Sequence, residues 1–184
     1  MPLSEPAGRD PVQSREVDVS SFRRHDGKWD VEGRLVDISS HAFPKYDGGM
    51  VEPGVPIHDM RVRLTLDAQV EIVAVEVSMD AHPYPVCPAI VPAFQRLKGE
   101  RIGPGWNRKL RDMFGGIEGC VHVVSLLGPV GTIGFKTVQR ESGKDDLPPG
   151  EKPDDDPYQV NGCHALASDS EIVRNRWPEL YTGS

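Results

Sequence analysis

The chain reads as an α+β domain: an antiparallel β-meander of about four strands, followed by three to four helices. Three observations predict it. Apolar and charged residues alternate with period two through several runs before Asp80. An Asp-Gly pair separates the first two of these runs, the signature of a hairpin. After Asp80 the apolar residues recur instead at three- and four-residue spacing, the period of a helix face. A length of 184 residues suits one domain, 1–184, with a core of its own.

Segment 15–22 (REVDVSSF) sets Val17 and Val19 among charged residues, and 28–37 (KWDVEGRLVD) sets Trp29, Val31 and Leu35 against Asp30, Glu32 and Arg34. The intervening HDGK predicts a tight turn. Segment 57–66 (IHDMRVRLTL) puts Met60, Val62, Leu64 and Leu66 on one face and Arg61, Arg63 and Thr65 on the other. Segment 69–79 is more continuously apolar, which predicts a well-covered strand joined to the previous one by a short Asp-Ala link.

The stretch DAHPYPVCP contains three prolines, which excludes a regular helix or an inner strand. Next, Ile90, Phe94 and Leu97 form the stripe of a short helix, started by Pro88 and stopped by Gly99. A second helix shares Trp106, Leu110 and Met113 on one face. A third is expected from near Glu118, with Val123, Val124 and Leu127 inward and Gly128-Pro129 kinking or splitting it. Segment 139–160 holds seven acidic residues and four prolines and reads as a mobile linker. Ser168-Asp169 should cap a last helix carrying Ile172, Val173 and Trp177.

Composition narrows function. Twenty-one basic against 28 acidic residues give a net charge of −7, which argues against a nucleic-acid partner. No apolar run reads as a bilayer span, and MPLSEPAGRD has no signal-peptide pattern. Three separated cysteines suit a reducing cytoplasm. The expected partner is therefore a small molecule, with no membrane and with homo-oligomerisation left open.

Four places carry candidate chemistry. His58 shares the parity of Met60, Val62 and Leu64 at a strand end, where an imidazole beside a cavity suits a general base; Asp59 points away. The plainer account is a core-edge histidine bonded to a backbone carbonyl. The proline-stiffened loop gathers Asp80, His82, Tyr84 and Cys87, a rigid frame for a site or merely a turn. Gly119-Cys120-Val121-His122 opens a helix whose dipole favours a thiolate, although a small buried thiol is the plainer account. Residues two apart on a helix face different ways, and no C-x-x-C or H-x-x-x-H occurs, so no metal and no other cofactor is expected. Arg101, beside Gly103 and Gly105, suits an oxyanion, whereas Arg108, Lys109 and Arg111 read as a solvated helix face.

Taken together, the stretches KWDVEGRLVD, VPIHDMRVRLTLD, MDAHPYPVCP, LKGERIGPGW, IEGCVHVVSLLGPV and NGCHALASDSEIVRNRWPEL resemble a bacterial family catalogued as a domain of unknown function. The resemblance runs from about residue 15 to 180. One thread within it leads to catabolism of lignin-derived aromatic dimers by a phenylcoumaran γ-formaldehyde lyase. What that implies is a cofactor-independent, formaldehyde-releasing carbon–carbon lyase acting on a small phenolic dimer. His58 or Asp80 would be the base and Asp59 its orienter. Tyr84, Arg101 or His122 would support the departing phenolate, and Phe94 and Trp106 would line the pocket. The rivals are a metal- or iron–sulfur-binding protein using Cys87, Cys120, Cys163 and nearby histidines, and a ligand-binding accessory protein. The faint likeness to iron–sulfur scaffold proteins lacks their full cysteine set.

Overall fold

Four long antiparallel strands carry the fold in a computed structural model, which describes residues 2–141 and 160–183. They are β1 (Gln13–Arg23), β2 (Trp29–Ser39), β5 (Pro56–Leu66) and β6 (Ile72–Ala81), in sheet order β1-β2-β5-β6. The α+β meander read from the sequence is therefore the architecture observed. Gly27, at φ 80°, closes the first hairpin, and the register pairs Arg23 with Trp29 and Arg15 with Asp37. Between β2 and β5 the chain makes an excursion with its own two-residue strands, β3 (Phe43–Pro44) and β4 (Met50–Val51).

The alternation works as expected: Val31, Leu35, Met60, Val62 and Leu64 are buried on one face, while Arg34, Arg61 and Arg63 stand exposed on the other. The link into β6 is longer than two residues. Asp67 Oδ1 accepts from the backbone N–H groups of Gln69 and Glu71, and Val70 is buried at φ 62°. Val70 and Ile72 then bond to the backbone of residues 99–102, so β6 starts only at Ile72.

The first helical segment, Cys87–Leu97, winds as a 3₁₀ helix containing Pro92. At three residues per turn Ile90 leaves the stripe that Phe94 and Leu97 keep, and it is only half-buried. Helix α1 (Trp106–Phe114) buries Trp106, Leu110 and Phe114, so Phe114 rather than Met113 completes its inner face. Helix α2 runs Val121–Glu141, after a 3₁₀ turn at Gly116–Glu118. Its early core residues are Val123, Leu126, Leu127 and Val130, while Val124 is half-buried. Pro129 sits inside the helix without splitting it. By length and mean hydropathy (1.3) α2 meets the requirements of a bilayer span, which the sequence reading had not expected. Here those four core residues are fully covered by protein.

Gly33 explains how α2 reaches the sheet. A Cβ there would stand 2.5 Å from Val130 Cγ2 and 3.0 Å from Leu126 Cδ1, so the bare glycine lets the helix down onto β2. The described residues divide after Gly134 into two compact units. In the second, helix α3 (Glu171–Arg176) is capped by Ser170, whose side chain accepts from Val173 N–H. Ser168 instead holds the C-terminal stretch, its Oγ accepting from Thr182 Oγ1 at 2.9 Å. Of the expected linker, Gln139–Glu141 is the end of α2, and residues 142–159 lie outside the described residues.

Candidate functional site

Four side chains from four elements meet at one end of the sheet's covered face. Arg15, Asp37 and His58 form a row of cross-strand neighbours on β1, β2 and β5. His122 comes from the first turn of α2, on the stripe of Leu126 and Val130 that lies over Gly33. Arg96 sets the helix entry, donating to the carbonyls of Met113 (2.7 Å) and Glu118 (3.2 Å). Two bulges frame the row: β2 and β5 slip register between Asp37 and Ile38, and β5 and β6 slip between Asp59 and Met60. Such irregularities re-aim side chains at sheet ends.

Asp37 is 1% exposed, and its carboxylate is the hub. Arg15 grips it with two bonds, Nε to Oδ1 at 2.6 Å and Nη2 to Oδ2 at 2.7 Å. His58 Nδ1 bonds Oδ2 at 3.0 Å, and His122 Nε2 lies 3.6 Å from the same oxygen. The two imidazoles stack with centroids 3.7 Å apart and planes 28° from parallel. On its far side His122 Nδ1 is 3.9 Å from Cys120 Sγ.

The electrostatics follow. Burial alone would push the Asp37 carboxyl up, but the Arg15 guanidinium, joined by the two imidazoles, holds it below the usual carboxylate range. Burial pushes His58 down, outweighing the pull of Asp37, with Arg15 and His82 adding to the depression. Burial and the neighbouring His58 likewise depress His122. At neutral pH the cluster is a charged carboxylate between a guanidinium and two neutral imidazoles. Since ionised Asp37 only accepts, His58 Nδ1 carries the proton in that bond, and its Nε2 keeps a free lone pair.

An aromatic rim lies at the same sheet end, where the β3–β4 excursion leaves β2 and rejoins β5. Tyr46, at its tip, meets Tyr84 edge-on at 6.3 Å. His82, whose Nδ1 donates to Tyr84 O at 2.8 Å, is close enough for its charge to be felt at His58.

The remaining residues singled out from the sequence stand elsewhere. Asp59 turns to the open face, where Arg34 holds it by two bonds of 2.8 and 2.6 Å, so the carboxylate orienting His58 is Asp37 instead. Asp80 is the extra residue of the β6 bulge and accepts from Arg61 Nε at 2.7 Å on that same open face, away from His58. Arg101 bridges to Glu71 beside the start of β6, next to Ile72, which pairs with Leu66. Leu66 lies eight steps along β5 from His58, roughly 26 Å at strand rise. Phe94 is fully buried against Phe114, 4.9 Å between centroids, and Trp106 is 7% exposed with its indole N–H donating to Leu127 O at 3.0 Å. Both serve the core. Cys87, Cys120 and Cys163 are all free.

Sequence reasoning missed Arg15 and Asp37. Each nevertheless falls on the apolar parity of its strand, Arg15 with Val17 and Val19, Asp37 with Val31 and Leu35. A charge on an inward parity is the signal that would have found them.

A family model described as "Protein of unknown function (DUF2889)" matches residues 13–136, from β1 into α2. No curated protein and no solved structure matches the chain.

Proposed function

We propose that the chain, which belongs to the DUF2889 family of proteins of unknown function, is an acid–base lyase whose base is His58. The observation that carries this reading is the buried carboxylate–imidazole pair, Asp37 Oδ2 to His58 Nδ1 at 3.0 Å, with a second imidazole stacked on the first. Asp37 orients His58 and fixes its tautomer, leaving Nε2 to accept a proton. Burial keeps both imidazoles neutral below the ordinary histidine range, so the base is ready at neutral pH.

The substrate class we propose is a small lignin-derived phenolic dimer of phenylcoumaran type, as the resemblance of the sequence implies. His58 takes the proton of the substrate's CH₂OH hydroxyl. The carbon–carbon bond to that group breaks and formaldehyde leaves. The freed electron pair forms a C=C bond and expels the aryl oxygen, which ends as a protonated phenol. His122 is the side chain adjacent to His58 that suits support of the departing phenolate. The Tyr46–Tyr84 rim supports recognition of an aromatic ring. The net charge of −7 supports a small-molecule rather than a nucleic-acid partner, and three free cysteines support a cytoplasmic setting.

The test is incubation of purified protein with phenylcoumaran-type dimers under formaldehyde trapping. His58→Gln should melt normally yet lose at least about a hundredfold in turnover, the low end for a general base. Arg101→Ala, at the far end of the sheet, should turn over normally. Near-normal turnover by His58→Gln, or no formaldehyde from any such dimer, refutes the reading.

A further inference from the structure

The cluster has a second chemical capacity, which goes beyond proton transfer. Asp37, His58 and His122 each offer one donor atom within 4.8 Å of the other two. From these positions we infer that Asp37, His58 and His122 form a binding site for one divalent transition-metal ion of the zinc, cobalt or nickel kind.

The distances fit such an ion. Ligand atoms about 2.0–2.1 Å from a tetrahedral centre stand about 3.3 Å from one another. Asp37 Oδ2 lies 3.0 Å from His58 Nδ1 and 3.6 Å from His122 Nε2, on either side of that value. Two imidazole nitrogens and one carboxylate oxygen form the donor set that suits zinc and its neighbours, and three protein ligands leave a position open for water. Magnesium and calcium, which favour oxygen, suit it poorly.

The outer groups are those such a site uses. A carboxylate has about four lone-pair positions, and Arg15 occupies two, one on each oxygen, so its grip holds Asp37 in place without exhausting it. Cys120 Sγ stands 3.9 Å from His122 Nδ1, the ring nitrogen that the ion does not use, as a partner for its N–H. The rings, 28° from parallel, must fan apart to converge on one ion, and the side-chain torsion that turns an imidazole is soft.

Metal binding would also silence the base, a consequence that rests on the acid–base reading. An ion on His58 Nδ1 displaces the proton to Nε2, the atom that reading requires to be bare.

Binding is measured without reference to turnover, so this site and the lyase reading stand or fall separately. Tag-free full-length protein, stripped with a chelator, is titrated with cobalt(II) and followed by its visible absorption, then with zinc as competitor. One equivalent of cobalt should bind with a tetrahedral or five-coordinate spectrum, and zinc should displace it. His122→Gln should weaken binding by more than about a hundredfold, because even outer-shell partners of metal ligands are worth about 10–100-fold. Cys120→Ser should keep the site. No saturable binding by the wild-type protein overturns the inference, as does binding that survives His122→Gln and vanishes in Cys120→Ser.

Discussion

Replacing Arg15 with Met tests the hub of the site most directly. The substitution preserves length and apolar bulk but strips two charge-assisted hydrogen bonds from a carboxylate that is 1% exposed. Removing one partner of a buried ion pair costs about 3–5 kcal/mol, because the other charge is stranded. His58 Nδ1 still donates to Oδ2, which offsets part of that, so a loss of about 3 kcal/mol is expected. The reverse substitution, Asp37→Leu, should cost less. It strands Arg15, whose side chain is 43% exposed and can be hydrated in place, and His58 Nδ1, whose neutral ring can move its proton to Nε2. The double variant should then lie within about 1 kcal/mol of Asp37→Leu, a coupling of about 2 kcal/mol or more between neighbours. Urea unfolding of the four proteins, compared by midpoint at constant slope, measures all three terms. A loss below about 0.5 kcal/mol in Arg15→Met, or simple additivity in the double variant, would refute the claim that the guanidinium holds this carboxylate.

Two further predictions concern the frame around the site. Gly33→Ala drives a methyl to 2.5 Å from Val130 Cγ2, and overpacking of this kind costs about 1–3 kcal/mol; an unchanged thermal melt would show that α2 yields freely there. On the open face, the Arg34 guanidinium outweighs burial and holds the Asp59 carboxyl below its ordinary value. A depressed folded-state pKa gives stability that is complete above the unfolded value, near pH 4, and lost as pH falls through the folded one. The advantage of wild type over Asp59→Asn in urea should therefore be full at pH 7 and shrink progressively below about pH 4; an equal gap at pH 7 and pH 3 would disprove it.

The meander was legible because alternation on a half-buried sheet is a direct physical consequence of one wet and one dry face. His58 was legible for the same reason, as a polar residue on the dry parity. Asp37 and Arg15 carried the identical mark, yet each also lies in a charged stretch where a single parity is easily discounted. Asp80 shares the parity of the exposed Glu76 and Ser78, so its place on the open face was legible too. What parity could not reveal is the bulge itself, because an extra residue in one strand leaves no trace in period-two patterning. The Cys87–Leu97 segment shows a like limit for helices: it winds as a 3₁₀ helix, and Ile90 leaves the stripe. The meeting of His122 with His58, 64 positions apart in the chain, depends on where α2 crosses β2. That crossing was set by the absence of a side chain at Gly33.

The first hairpin acts as a length gauge for the whole constellation. Arg15 and Asp37 face each other because the residues between Arg23 and Trp29 number what they do, and the count propagates along both strands. The gauge sits about 33 Å from Asp37, ten residues away at strand rise. One residue inserted at Gly27 and absorbed as a register slip would carry Arg15 to the wet face while altering no side chain of the cluster. Asp37 would then be left without its guanidinium by a change of arithmetic alone. Insertions and deletions at this remote turn are thus as consequential for the cluster as substitutions within it.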